Sequence, residues 1–211
     1  MIHIIIAADK TLKHYFSHCL SSVEQFYENI IIYDLGGLGV GNKVKVNTSS
    51  TANQKFPKKP LIILDALTRT NEEDFLIWLD CDTILVDKLD EVFFKNFDLG
   101  VTIRKNKSKK PQESWINSGV IFFKNNKKTH KMLKTWASLS DDLNGDQYSL
   151  NKILDLQKPK PFEKIVKNDT LIKLLPCKIY NNFYFKEDQS KAKILHYKSD
   201  VRSNYPYKKL K

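Results

Sequence analysis

The sequence predicts a single three-layer α/β domain, a mixed, mostly parallel sheet flanked by helices, and three observations carry that prediction. Short apolar runs of strand length alternate with longer segments whose apolar residues recur every three or four positions. The first two runs are separated by one such segment, which is the spacing of a strand–helix–strand unit with parallel strands. No internal repeat and no Gly/Ser linker divides the 211 residues, a length that suits one domain with a sizeable core.

Each element follows from its residues. Residues 2–8 are rich in isoleucine and read as the first buried strand. Residues 11–28 set Leu12, Tyr15, Phe16, Cys19, Leu20, Val23, Phe26 and Tyr27 on one helical face. Ile30-Ile31-Ile32-Tyr33 is a second strand, closed by Asp34-Leu35-Gly36-Gly37. Val44 and Val46 alternate in a weaker strand, and the polar stretch 49–59 is a loop. Pro60 suits the first turn of a helix whose face is Leu61, Ile62, Ala66 and Leu67. Phe75-Leu76-Ile77-Trp78-Leu79 is the most apolar short run and reads as a central strand. There follow a short helix over 89–94, a strand over 99–103, a basic loop over 104–112, a strand over 119–123, and helices over 129–139 and 147–154. Beyond 155 the pattern turns irregular, with short strands over 171–175 and 193–197.

Asp80 and Asp82 stand one residue apart where the 75–79 strand leaves the core. Two carboxylates there are costly unless something positive neutralises them. A divalent cation carrying a phosphate-bearing ligand does so, and oxygen ligands suit Mg²⁺ or Mn²⁺. Ligand sites in open α/β sheets also lie at the carboxyl ends of strands. The residues alone leave open a second reading, in which Asp82 caps the next element and Asp80 bonds loop amides.

Three more local signals accompany the pair: Ala7-Ala8-Asp9 past the first strand, Ile116-Asn117-Ser118-Gly119 running into a later strand, and Gly145-Asp146-Gln147 opening a helix. His196-Tyr197 follows a late strand. Taken singly, each has an ordinary structural role: Asp9 and Asp146 as helix caps, Asn117 in a turn, His196 in the core.

The net charge of +11 calls for an anionic partner, and nucleic acid, an anionic membrane or a phosphorylated small molecule all qualify. The lysines are scattered over 105–110, 124–128, 158–167 and 208–211, as on a solvated surface. No nucleic-acid-binding motif is present, so nucleic acid is not the expected partner. No apolar stretch approaches the ~20 residues of a membrane span, which leaves only peripheral membrane contact. The first nine residues lack the basic start and the length of a signal peptide. Cys19, Cys81 and Cys177 are odd in number and widely spaced, which fits neither disulfides nor zinc and points to a reducing, cytoplasmic compartment. The basic ending Tyr207-Lys208-Lys209-Leu210-Lys211 has no clear stop, so residues 1–211 read as one domain, whole or cut from a longer protein.

In the order and spacing of these signals, over residues 2–202, the chain resembles the GT-A nucleotide-sugar glycosyltransferases. It is most similar to glycosyltransferase family 8 and related retaining families; a small virus-encoded domain is one form such a chain takes. The resemblance implies a metal-dependent hexosyltransferase using a UDP-sugar, with a UDP-glucose-like hexose or deoxyhexose, and a glycan or glycoprotein acceptor. It implies that Asp80 and Asp82, with Cys81 between them, form the Asp-x-Asp at which Mn²⁺ or Mg²⁺ bridges the donor phosphates. His196 would be the third metal ligand, and imidazole favours Mn²⁺. Ala7 and Asp9 would meet the uracil, Asn117 and Ser118 the donor sugar, and Asp146 and Gln147 the sugar hydroxyls at the reacting face.

Some positions depart from the family pattern. Ser199 and Arg202 stand where a Gly and a Lys follow the late His; Arg202 keeps the charge for the leaving diphosphate. The Tyr after the first-strand Asp is missing, so Tyr15 is expected to stack on the base instead, and Lys59 is a second donor-binding candidate. With no carboxylate nucleophile in view, the resemblance implies same-face attack with retention, Gln147 and Asn117 shaping the site; an inverting enzyme would use Asp146 as base. The 104–112 loop and 198–211 tail are expected to close over the donor. Two other classes stay open at this stage: a basic nucleic-acid-binding module, and a nucleotidyltransferase or metal-dependent phosphohydrolase. The absence of glycine from Ala8 to Leu12 speaks against the nucleotidyltransferase.

Overall fold

The computed structural model describes residues 1–39, 59–94, 96–105, 115–142 and 145–198. A seven-stranded sheet in the order β2-β1-β3-β6-β5-β8-β7 forms the centre. Its strands are β1 (Ile2–Ala8), β2 (Ile30–Asp34), β3 (Phe75–Asp80), β5 (Leu99–Ile103), β6 (Ile116–Lys124), β7 (Lys164–Lys167) and β8 (Thr170–Pro176). Strands β1, β2, β3, β5 and β8 run one way; β6 and β7 run against them. A separate ribbon pairs β4 (Thr83–Leu85) with β9 (Ile194–His196).

Two cores sandwich the sheet. Helices α2 (Lys59–Thr68), α3 (Lys127–Asp142) and α4 (Asp146–Leu154) cover one face around Ile63, Trp78, Phe123 and Trp136. Helix α1 (Lys13–Val23) and the short α5 (Cys177–Tyr180) cover the other around Ile6, Phe16, Ile77 and Phe122. Strands buried on both faces need apolar side chains at every position, which is why Ile4 to Ala8 of β1 and Phe75 to Leu79 of β3 are unbroken apolar runs. Burial of each such side chain stabilises by about 1.5–3 kcal/mol.

The expected parallel strand–helix–strand unit is present, with Ile4 opposite Ile30 and Ala8 opposite Asp34. The expected 11–28 helix is shorter: a 3-10 turn at Lys10–Leu12 leads into α1, which stops at Val23. Tyr27 lies beyond it because its hydroxyl is needed elsewhere, donating to Asp90 and accepting from the Leu89 N–H. The 89–94 segment is a single 3-10 turn at Asp90–Val92. The late strand at 193–197 forms, but in the ribbon with β4, not in the central sheet. Strands β4 and β7 and helix α5 were not expected. The Val44/Val46 strand and most of the 104–112 loop lie outside the described residues.

Candidate active site

Strands β1 and β3 are adjacent and parallel, with Ala7 paired to Asp80, so both end at one edge of the sheet. Strand β6 runs the other way and begins at that edge. Its register against β5 slips between Val101, opposite Ile121, and Thr102, opposite Asn117. The slip leaves residues 118–120 without partners on β5, while Val120 stays opposite Leu79 of β3, and Asn117 and Ser118 line the cleft at the edge. Helix α4 starts there with Asp146 and Gln147, held by Trp136, whose indole N–H donates to the Asp146 carbonyl at 2.7 Å. Ala7, Leu12, Lys59, Asp80, Cys81, Asp82, Asn117, Ser118, Asp146, Gln147, His196 and Lys198 line a cleft of about 400 Å³.

Lys59 organises one wall. Its ammonium lies 3.0 Å from Asp80 Oδ1 and 3.0 Å from Asp146 Oδ2, and donates to the Ser118 carbonyl at 2.9 Å. Burial works against its charge, but Asp146 and Asp80 hold its pKa above the usual lysine value. Burial likewise pushes the Asp146 carboxyl up, and Lys59 and the Ser118 hydroxyl together hold it below the ordinary carboxylate range. Gln147 accepts from the Ser118 N–H at 3.2 Å. Asp80 Oδ1 also accepts from the Trp78 indole N–H at 2.8 Å. Two donors thus occupy one oxygen of Asp80 and leave Oδ2 turned to the other wall.

That wall is His196. Its Nε2 lies 3.2 Å from Asp82 Oδ1 and 4.0 Å from Asp80 Oδ2. Its Nδ1 meets Asn181 Oδ1 at 2.7 Å. The Asn181 amide nitrogen donates to the Thr102 hydroxyl at 2.8 Å, and that hydroxyl donates to the Asn117 carbonyl at 2.8 Å. This relay fixes the Asn181 oxygen toward the ring, so Nδ1 carries hydrogen and Nε2 faces two carboxylates. The three atoms converge where a proton or a cation would be held among them. One atom from each residue lies within 4.8 Å of the others, so the three could hold a metal ion. The Asn181 bond to Nδ1 is of the kind that orients histidines which bind metal through their other nitrogen. Gly119 makes room for the ring: a Cβ there would come within 2.3 Å of His196 Cε1.

Asn117 is 2% exposed, and its Oδ1 accepts from the Gly119 N–H at 2.9 Å. Its Nδ2 has no partner among the described residues, a buried donor on the wall of the cleft.

A larger basin of about 620 Å³, lined by Glu72, Asn125, His130 and Lys134 among others, lies at the opposite edge. Among the described residues it brings together no comparable set of ligating groups.

Sequence comparison decides the family. The family model for nucleotide-diphospho-sugar transferases matches residues 4–205. The chain belongs to that family. No curated protein matches the chain. Among solved structures, this transferase shares its fold with a glycosyltransferase involved in glycosylation of the major capsid of PBCV-1, at TM-score 0.65 and 16% identity, covering 97% of this chain and 96% of that one. It is similar to the galactosyltransferase LgtC solved with donor and acceptor sugar analogs, at TM-score 0.53 and 16% identity over 94% and 87% of the two chains. It is also similar to the glycosyltransferase GlyE of Streptococcus pneumoniae TIGR4, at TM-score 0.61 and 16% identity, covering 99% of this chain but only 56% of GlyE. The GT-A fold and membership of a glycosyltransferase family therefore stand.

Of the residues named from sequence, the fold gathers Ala7, Lys59, Asp80, Cys81, Asp82, Asn117, Ser118, Asp146, Gln147 and His196 around the cleft. Asp9 stands just outside: its Oδ1 accepts from the Thr11 and Leu12 N–H groups and caps the 3-10 turn, the ordinary role the sequence left open. Tyr15 packs with Ile84, Tyr197 and Phe185, and Leu12 lines the cleft on this side. Arg202 and Ser199 lie outside the described residues. Trp78, Asn181, Thr102 and Lys198 were not foreseen. Trp78 had a sequence signal, standing two residues before Asp80 on the strand; Asn181 had none.

Proposed function

We propose that the chain moves a sugar from a UDP-sugar, carrying a glucose-like hexose or deoxyhexose, to a glycan or glycoprotein acceptor, with Mn²⁺ and with retention of configuration. The observation that carries the proposal is the convergence of Asp80 Oδ2, Asp82 Oδ1 and His196 Nε2, beside the unpartnered Asn117 Nδ2. Two carboxylates and one imidazole suit Mn²⁺ better than Mg²⁺, which takes oxygen donors.

The bound cation would offset negative charge on the departing nucleoside diphosphate. The protein's own groups do the rest. Lys59 and Trp78 fix Asp80 so that only Oδ2 faces the ligand. Asn117 Nδ2 donates to a donor-sugar hydroxyl or phosphate oxygen. Asp9, with Oδ1 spent on the cap, would meet the uracil through Oδ2. Lys198 adds positive charge beside the phosphates, and Arg202 keeps that role by family resemblance. Asp146 is engaged by Lys59 and Ser118, which makes it a poor base for an inverting displacement and favours attack from the leaving-group face. Gln147, held by the Ser118 N–H, shapes that face. Cys19, Cys81 and Cys177 are buried and form no disulfide, which fits a cytoplasmic setting. No helix among the described residues is long and apolar enough to cross a membrane.

Calorimetric titration of UDP into the protein with Mn²⁺, and again with EDTA, tests the donor reading; a hydrolysis screen of UDP-sugars then identifies the sugar. Binding is expected only with the metal. Metal-independent UDP binding would contradict the bridging role, and silence from UDP, GDP and dTDP alike would sink the reading.

A further inference from the structure

A run of buried hydrogen bonds leads from β5 to His196, and it starts at the register slip. If the pairing of Val101 with Ile121 continued, Thr102 would stand opposite Val120; the slip sets it opposite Asn117 instead. Two backbone carbonyls therefore face one hydroxyl. The Thr102 hydroxyl donates to the Asn117 carbonyl at 2.8 Å, with the Val120 carbonyl at 3.3 Å. Thr102, Asn117, Asn181 and His196 are all buried, and Thr102 is not among the residues lining the cleft.

Those carbonyls dictate the sense of every later bond. A backbone carbonyl only accepts, and a threonine hydroxyl has one hydrogen to give. With that hydrogen spent, the Thr102 oxygen is left to accept. Asn181 meets this oxygen at 2.8 Å and the Asn117 carbonyl at 3.4 Å, so both call for a donor and the Asn181 Nδ2 stands on this side. A flipped Asn181 amide would make its own oxygen compete with the Asn117 carbonyl for a single hydroxyl hydrogen, which leaves a buried acceptor unsatisfied. The amide oxygen is thus turned to His196 Nδ1, and Nδ1 has to carry hydrogen whatever Nε2 carries. Nε2 is the nitrogen left to Asp80 and Asp82.

Resting on the metal site of the glycosyltransferase reading, we infer that Thr102 is a positioning residue for that site. Its one hydroxyl hydrogen, acting through Asn181, decides which ring nitrogen of His196 faces the two aspartates. The slip between β5 and β6 then has a chemical role as well as a geometric one, since it brings the Asn117 carbonyl that takes this hydrogen.

The test compares the wild type with two variants. Thr102→Val keeps the shape of the side chain and loses the hydroxyl; Thr102→Ser keeps the hydroxyl and loses the methyl. The first readout is ¹H–¹⁵N nuclear magnetic resonance of the metal-free chain with labelled histidine, the His196 signal being identified by its loss in His196→Gln. The second is Mn²⁺ affinity, from the electron paramagnetic resonance of the free ion. In the wild type, Nδ1 is expected to carry a hydrogen sheltered from exchange with water. Thr102→Val is expected to lose that shelter and to bind Mn²⁺ about tenfold more weakly, the lower end of the range for outer-shell partners. Thr102→Ser is expected to match the wild type in both readouts, although it too is a truncation at a buried position. A wild-type Nδ1 without hydrogen would overturn the inference with no variant needed, so the test stands even if Thr102→Val does not fold. Wild-type behaviour of Thr102→Val in both readouts, or equal losses in the Val and Ser variants, would overturn it as well. The resonance experiment contains no metal. A wild type that binds no Mn²⁺, yet shows the sheltered Nδ1 hydrogen and its loss in Thr102→Val, would count against the metal site and not against the part Thr102 plays in aiming His196.

Discussion

Strand β3 has aspartates at both ends, and they meet opposite fates. Before its first residue, Asp74 accepts from the Met1 amine at 2.8 Å, from His3 Nε2 at 3.1 Å and from the Asn71 N–H at 3.0 Å. After its last apolar residue, Asp80 and Asp82 turn oxygens toward the same nitrogen, His196 Nε2. A carboxylate supplied with protein donors on both oxygens is a structural element. Carboxylates that converge on one ring nitrogen could hold a cation among them. The contrast lies in what the two ends of the strand face: three protein donors at Asp74, and one histidine nitrogen shared by Asp80 and Asp82.

The sharpest way to break the contrast is Asp82→Asn. It removes one charge from the convergent set, and metal-dependent UDP affinity is expected to fall more than about 100-fold by calorimetry, with the melting temperature little changed. A smaller effect is expected from changes that move His196 without touching a carboxylate. Asn181→Leu removes the Nδ1 partner, and Gly119→Ala pushes a methyl into the ring. Each is expected to weaken Mn²⁺ binding about 10–100-fold, and unchanged metal affinity in both would mean that His196 is not a ligand.

Asp74→Asn is the mirror experiment at the other end. A loss of about 1–3 kcal/mol of stability is expected, from a buried network deprived of its charged acceptor, with UDP affinity unchanged; for a chain of this size the melting temperature falls about 3–9 °C. The smallest effect is a matter of pH. Burial alone would raise the Asp74 carboxyl, but the amine, the Asn71 N–H and His3 hold it below its ordinary value of 3.8. A depressed carboxyl contributes stability that is present above 3.8 and lost as pH falls through the lower folded value. Thermal melts between pH 5 and pH 2 are expected to show a steeper acid loss in the wild type than in Asp74→Asn.

What was legible in the sequence follows the same division. The β1 and β3 runs and the Asp-x-Asp pair are local patterns; the runs form the expected strands, and the fold sets the pair beside His196. The α1 helix was read too long because Phe26 and Tyr27 continue its apolar spacing, whereas the Tyr27 hydroxyl is drawn to Asp90 and Leu89. Strand β7, Lys-Ile-Val-Lys, is a short half-exposed edge strand with little apolar signal. Strand β9 was visible, but its partner, 113 residues earlier where Thr83 faces His196, was not. Asn181 is the clearest loss: one of two adjacent asparagines in an irregular stretch, it matters only because the β4–β9 ribbon brings His196 to it.

The central claim is that Asp80, Asp82 and His196 form one metal site. Electron paramagnetic resonance of Mn²⁺ titrated into the protein measures it directly, since the sharp signal of the free ion is lost on binding. The account predicts one site per chain in the wild type, tightened by UDP and absent from Asp82→Asn. An undiminished free-ion signal in the wild type with UDP present, or equal binding by the variant, would contradict it.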